Sequence, residues 1–366
     1  MASLQTLKAL GLLVGMIVGA GMFALPYVVM RAGLFWGTFH FILAAVLVTV
    51  GHLLYGAVCY RIDERHRLPG FARKYLGGPW YIVALISRFF AYFGYQLAYG
   101  VLGGLFLTAL FPSLSPAVFT VGFFVITAPL LFLALKEAGT INLLFTIPII
   151  FFVLALFWLA LPHFQRPIVM PEATASWFFP YGIFLFAFSG MSIIPDIVDL
   201  FGRKNEARFR KVIIAGTLIV AAIYVLFIVA VVGLADGFVS EDAVSSLDGR
   251  LVISLGALLG FLAILTSYFA LGLELRLTFQ YDLGISRLIA WEFVVALPLI
   301  LFLLGISDFI GILDTVGALG VGIEGILVAL LAYRTKSAGV AAAFGLIAVF
   351  ALGAVLELAQ IAGYIL

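Results

Sequence analysis

Residues 11–27 read GLLVGMIVGAGMFALPY, an uncharged run punctuated by Gly19 and Gly21 and then by Pro26. Residues 179–197 read FPYGIFLFAFSGMSIIPDI. Each string contains Gly-Met, three residues, then Pro: Gly21-Met22 to Pro26, and Gly190-Met191 to Pro195. Glycine lacks a Cβ and tolerates unwinding, while proline removes a donor and clashes with the preceding turn. Inside a bilayer, unwound backbone is tolerated only where it is buried in protein or lines a cavity. The two strings therefore predict two broken membrane helices that face a common cavity. Gly11, Gly15 and Gly19 also form a small-xxx-small stripe suited to close helix contact.

The rest of the chain fits that setting. Of its 366 residues, 65% are hydrophobic and 10% charged, and the mean hydropathy is +1.25. That leaves too little polar surface to cover a water-soluble core. Apolar runs of the ~20 residues needed to cross a bilayer recur throughout. Eleven spans are predicted, at 7–30, 33–60, 80–110, 116–135, 141–162, 177–200, 209–235, 250–275, 287–305, 309–333 and 338–365. No alternation of the barrel kind is present. The first run continues through Pro26 without a small-residue cleavage site, so it reads as a membrane helix and not a signal peptide.

Loop charges set the expected orientation. With the N-terminus inside, cytoplasmic segments carry Lys8; Arg61, Arg65, Arg67, Arg73 and Lys74; Lys136; Arg203, Lys204, Arg208, Arg210 and Lys211; Arg276 and Arg287; Arg334 and Lys336. Outer segments hold only Arg31, Arg166 and Arg250, and the outer loop at 235–249 is acidic. This satisfies the positive-inside rule and puts the C-terminus outside, in a multi-pass protein of a plasma (inner) membrane. The net charge of +2 is spread over short loops and gives no basis for nucleic-acid binding. Cys59 is the only cysteine, which excludes an internal disulfide or a thiolate cluster.

The two broken spans are the first and the sixth. An offset of five spans inverts the second copy relative to the first, the signature of a 5+5 inverted repeat with an eleventh helix added. One transporter domain is expected over 1–366: a first repeat at about 7–162, a second at about 177–333 and an extra helix at about 338–365. Amides at a half-helix N-terminus attract a carboxylate, and carbonyls at a half-helix C-terminus attract an ammonium or a cation. A zwitterionic amino acid satisfies both ends, and a monomeric carrier in the lipid bilayer is expected. Pro129, Pro148 and Pro298 read as ordinary kinks. No HExxH, Gly-x-Ser-x-Gly or P-loop string occurs, so the chain does not read as an enzyme.

GMIVGAGMFALPY in span one, FAFSGMSIIPDI in span six and LTSYFALGLEL in span eight resemble the amino acid–polyamine–organocation superfamily. Within it they are most similar to aromatic amino acid permeases and sodium-coupled neutral amino acid transporters. The resemblance implies the all-α leucine-transporter fold. It implies a substrate carboxylate at Gly19, Ala20 and Gly21, and an ammonium at the carbonyls of Phe186, Ala187 and Ser189. The side-chain pocket would draw on Phe23, Phe188, Met191, Tyr95, and Tyr268 or Phe269, although aromatic stripes also pack helices. It further implies a Na⁺ site from Gly15 and Val18 in span one with Ala263, Thr266 and Ser267 in span eight. Proton coupling is the alternative, as is a sensor that binds amino acids without moving them.

A charge at mid-bilayer costs ~2.5–3.5 kcal/mol on insertion scales, so each needs a partner or a role. Arg88 is expected to pair with Glu274 or Glu292. Glu324 or Glu357 could take up a proton. Asp314 and Arg31, both toward the outside, could close an outer gate. Asp196 and Asp199 are expected to cap span six and meet the 203–211 loop. His40 and His52 read as buried histidines without metal spacing.

Overall fold

A computed structural model of the chain describes residues 2–62, 64, 66–133, 138–165, 175–202, 205–235, 237–281 and 283–364. Arg65, Lys136, Arg166, Arg203 and Lys204, used above for orientation, lie outside the described residues. Among the described residues there is no strand, and the helices follow the predicted spans in order. Span one divides into α1 (Ala2–Ile17) and the first leg of α2 (Ala20–Arg61), whose second leg is span two. A short α3 (Leu68–Tyr75) precedes α4 (Gly78–Leu110), α5 (Pro116–Leu133) and α6 (Ala138–Ala160). Span six divides into α7 (Pro180–Phe188) and α8 (Ile194–Phe201), followed by α9 (Glu206–Leu234), α10 (Arg250–Tyr281) and α11 (Arg287–Leu303). Span ten comprises α12 (Phe309–Thr315), a π-helical stretch Val316–Val321 and α13 (Gly322–Arg334); α14 (Val340–Ile361) is the eleventh. Eight of the spans are by themselves long and apolar enough to cross a membrane.

The legs of α2 are joined without a loop. Gly33, at φ +76°, reverses the chain at a backbone conformation that glycine adopts at little cost. In the broken spans, unwinding occurs at Val18–Gly19 and at Ser189–Gly190. Pro26 therefore sits inside α2, not at the break, whereas Pro195 lies in the first turn of α8, where its missing N–H costs nothing.

Two packed groups surround the breaks. In one, α2 lies on α7 and α9, with α1 against α9; in the other, α4 lies on α10, α5 and α11. Helix α6 bridges them through α9 and α10, and α13 packs on α2 and α14. Large apolar side chains such as Ile42, Ile86, Trp158 and Leu218 remain exposed around the outside, as a lipid-facing surface requires.

Several polar expectations are corrected. Helix α10 continues past residue 275, and Arg276 is buried in it, donating to the Leu131 and Phe132 carbonyls at 2.9 Å. Asp196 pairs with Arg67 at the start of α3, a partner the sequence reading did not name. Asp314 is buried and accepts from Gln360 of α14, while Arg31 lies over the Tyr27 ring, so the two form no outer gate here. Arg88 pairs with Glu274, one of its two expected partners.

Candidate functional site

The first break begins where α1 runs out of helical donors. The Val18 N–H still closes on the Val14 carbonyl at 2.8 Å, after which Gly19 (φ −148°, ψ −146°) redirects the chain. Ala20 and Gly21 open α2, and the amides of such a first turn have no acceptor within their own helix. Gly21 rests directly on α7: a Cβ there would lie 2.6 Å from the Ala187 Cα. Only glycine permits that approach.

The second break follows Phe188. Ser189 is extended (φ −66°, ψ 133°) and its N–H turns back to the Phe186 carbonyl at 3.1 Å. The Gly190 N–H leaves the helix altogether and donates to His52 Nε2 of α2 at 3.2 Å. A 3₁₀ turn, Met191–Ile193, then leads into α8. One side chain of α9 ties the two breaks together: the Tyr224 hydroxyl lies 2.9 Å from the Ile17 carbonyl and 2.7 Å from the Ala187 carbonyl.

Between the breaks is a cavity of about 690 Å³, its mouth included. The enclosed room within it is small, about 40 Å³. Gly19, Ala20 and Gly21 line it from the first break, and Phe186, Ser189, Gly190 and Met191 from the second. Tyr92, Tyr95 and Tyr99 face it from α4, Leu271 from α10 and Val328 from α13. Tyr95 donates to Ser189 Oγ at 3.4 Å, and its ring meets Phe186 edge-on at 4.9 Å. The other end of the cavity is polar, formed by Tyr55, Arg67, Arg88 and Glu324. Arg67 donates to Asp196 at 3.1 Å and to the Ser192 carbonyl at 3.3 Å, which fastens α8 to α3. Arg88 lies over the Tyr92 ring at 4.7 Å in addition to its pairing with Glu274.

The structure thus brings seven of the expected substrate residues onto one wall: Gly19, Ala20, Gly21, Tyr95, Phe186, Ser189 and Met191. Four are turned elsewhere. Phe23 packs on Phe106 (4.9 Å) and Phe227 (5.8 Å), and Phe188 on Phe41 (5.1 Å) and Tyr224 (5.2 Å). Tyr268 packs on Phe123 at 5.0 Å, and Ala187 lies under Gly21 with its carbonyl taken by Tyr224. These are packing positions because apolar helices buried on several sides offer aromatic residues more than one interior face. Tyr92 and Tyr99, which were not anticipated, carry a readable signal: with Tyr95 they recur at helical spacing along one face of α4. His52 and Tyr224 act through long-range contacts that sequence spacing does not show.

For a cation, the relevant group is Ser267. Its hydroxyl is buried and lies 3.7 Å from where a Gly19 Cβ would stand, beside the Tyr99 hydroxyl. Thr266 donates to the Ala263 carbonyl at 2.8 Å, a bond back into its own helix that leaves that carbonyl a second lone pair. Gly15 and Val18 lie in the last turn of α1 and just beyond it. Among the described residues no cluster of His, Cys, Asp and Glu has metal-binding proximity, so any ion here would be held by neutral oxygens.

A model of the tryptophan/tyrosine permease family matches residues 3–360. The chain belongs to that family. This permease is accordingly an amino acid transporter and not an enzyme. No curated protein sequence matches it. Among solved structures 106 chains match, including the crystal structure of MhsT in complex with L-phenylalanine, at a TM-score of 0.69 and 16% identity over 96% of the permease and 97% of that chain. That likeness shows the fold, which is of the leucine-transporter type, in a multi-pass membrane protein.

Proposed function

We propose that the permease is a secondary carrier of neutral or aromatic amino acids, works by alternating access, and is coupled to Na⁺. The observation that carries this reading is that both helix breaks open onto one cavity. Amides at the start of α2 suit a carboxylate, and the carbonyl end of α7 at Phe186 and Ser189 suits an ammonium. The Tyr95, Phe186, Met191 and Leu271 wall suits an apolar side chain, and L-phenylalanine is the ligand of the similar MhsT structure. The carbonyls of Gly15 and Val18 at the end of α1, with Ala263, Thr266 and the buried Ser267 hydroxyl, are the residues that would hold Na⁺. Neutral oxygens suffice for a hard monovalent ion, whose charge would favour the inward-turned carbonyls over their unwound exposure.

The α1, α2, α7, α8 and α9 group would rock against the α4, α5, α10 and α11 group, as the halves of inverted repeats do. Residues 7–162 and 177–333 form those repeats in this reading. The cavity's polar end then faces the cytoplasm, on the side of Arg61, Arg67, Arg73 and Lys74, in an inner membrane and as a monomer.

A thermal-shift panel of the twenty amino acids in Na⁺ or K⁺ tests ligand and ion together, because binding stabilises the folded carrier by mass action. Stabilisation by aromatic or other neutral amino acids that grows in Na⁺ is expected, with Ser267→Ala losing the Na⁺ increment. Uptake into proteoliposomes that is unaltered when choline replaces Na⁺ would overturn the coupling ion. Glu324, 5% exposed on the cavity wall, makes the proton the second candidate, in which case Glu324→Gln would abolish uptake driven by a pH gradient. Saturable binding without flux would overturn the carrier reading in favour of a sensor.

A further inference from the structure

A second polar cluster lies away from the cavity, where α7, the end of α12 and α14 meet. Asp314, Glu357 and Tyr181 there are 5%, 1% and 3% exposed. Gln360 donates to Asp314 Oδ2 at 3.1 Å, and the Ser176 hydroxyl donates to Gln360 Oε1 at 3.3 Å. Two buried polar atoms of the cluster make no hydrogen bond, Glu357 Oε2 and the Tyr181 hydroxyl, while Asp314 lies against the α7 backbone at Gly182.

Glu357 lies between Gly353 and Gln360 on one face of α14, and both of those neighbours meet the other members of the cluster. A Cβ on Gly353, one turn before Glu357 on the same face of α14, would lie 2.2 Å from the Tyr181 hydroxyl. A Cβ on Gly182, the neighbour of Tyr181, would lie 2.4 Å from Asp314 Oδ1. The Gln360 side chain, one turn on from Glu357, reaches Asp314 and so brings that face of α14 against the end of α12. Neither carboxyl forms an ion pair among the described residues. Among the described residues, the other titratable groups facing the cluster are Asp308, at the N-cap position of α12, and His40 of α2, whose ring lies 6.3 Å from that of Tyr181 and whose Nδ1 donates to the Trp36 carbonyl at 3.0 Å.

Two ionised carboxylates buried together at membrane depth without a cation are strongly unfavourable. One proton would remove one charge and convert an orphaned acceptor into a donor for the other carboxylate. We propose that Asp314 and Glu357 bind a single proton between them, beside the Tyr181 hydroxyl, in a site separate from the cavity. The proton holds α7 to α12 and α14, and its loss leaves like charges at that junction. Because α7 runs two turns from Gly182 to the second break, proton occupancy biases the position of Ser189. Only this last step rests on the carrier reading above.

The test is infrared difference titration of the purified full-length permease in H₂O and D₂O, in a Glu324→Gln background so that the cavity carboxyl does not contribute. A carbonyl-stretch band of a protonated carboxylic acid, shifted by deuterium, is expected at neutral pH and should vanish in Glu357→Gln and in Asp314→Asn. Either variant reads the same band if the other fails to fold. Absence of the band in the parent, or its persistence in a folded variant of either residue, overturns the proton site. Uptake is measured in parallel, at several pH values, on protein that keeps Glu324. A band that behaves as expected in a protein without flux supports the proton site and refutes only the carrier, whereas a missing band with intact uptake refutes only the proton site.

Discussion

The Gly190 amide donates to Nε2 of His52 across 3.2 Å, joining the middle of α2 to the unwound stretch between α7 and α8. His52 is fully buried, so this bond replaces both the helical acceptor that Gly190 has lost and water. The bond requires an imidazole that is unprotonated at Nε2. His52→Leu leaves the amide buried without an acceptor, at a cost of about 1–3 kcal/mol. A lowered melting temperature and weakened amino acid affinity are expected, with partial recovery in His52→Gln, whose amide oxygen accepts. Thermal-shift titration with substrate reads both effects, and a wild-type response by His52→Leu would refute the role.

Tyr224→Phe removes a hydroxyl within 2.9 Å of the Ile17 and Ala187 carbonyls. The loss of a net hydrogen bond is expected to cost about 0.5–1.5 kcal/mol of stability. Transport should fall more than stability, because the deleted group connects the ends of two half-helices. Uptake normalised to folded protein measures the difference.

Glycine substitutions at the first break should separate packing from binding. Gly21→Val places a Cβ 2.6 Å from the Ala187 backbone, so loss of binding should come with reduced thermal stability. Gly19→Ala meets nothing closer than the Ser267 hydroxyl at 3.7 Å and the Tyr99 hydroxyl at 3.9 Å. It should therefore fold at normal yield while losing ion or substrate affinity. Normal uptake by Gly21→Val would contradict the site altogether.

Arg88, 4% exposed, and Glu274 form a largely buried ion pair beside the polar end of the cavity. Removing one partner of such a pair typically costs about 3–5 kcal/mol, because the other charge is stranded. Arg88→Met and Glu274→Gln should each lower folded yield, and the double variant should recover part of it. A double-mutant cycle on melting temperature reads the coupling, and additive losses would show that the pair does not act as a unit.

The spans were legible because the bilayer imposes a length and a composition that local sequence must meet. The breaks were legible to within a few residues from their glycines, and Pro26 added nothing to their placement. A proline inside a helix removes one bond, whereas the chain at Val18–Gly19 turns because a pair of backbone dihedrals leaves the helical region. Among side chains, depth was readable and rotation was not. Phe23, Phe188 and Tyr268 have the composition of a pocket wall, yet each is claimed by aromatic neighbours from other helices. Tyr92, Tyr95 and Tyr99 point into the cavity, and their hydroxyls would be costly facing lipid, so polarity on an otherwise apolar face is the better guide. The partners of Asp314 and Asp196 lie in distant segments and were beyond the reach of spacing arguments.

The contact of Gly21 with Ala187 has a mechanical corollary. The α2 and α7 backbones touch without intervening side chains, and Tyr224 ties the end of α1 to the end of α7, so the two broken spans should turn as one axle. A short covalent staple across that axle should leave turnover intact, whereas a staple from α2 to α10 should stall it. The two halves of the chain are in that sense geared at one tooth, whose width is that of a missing methyl group.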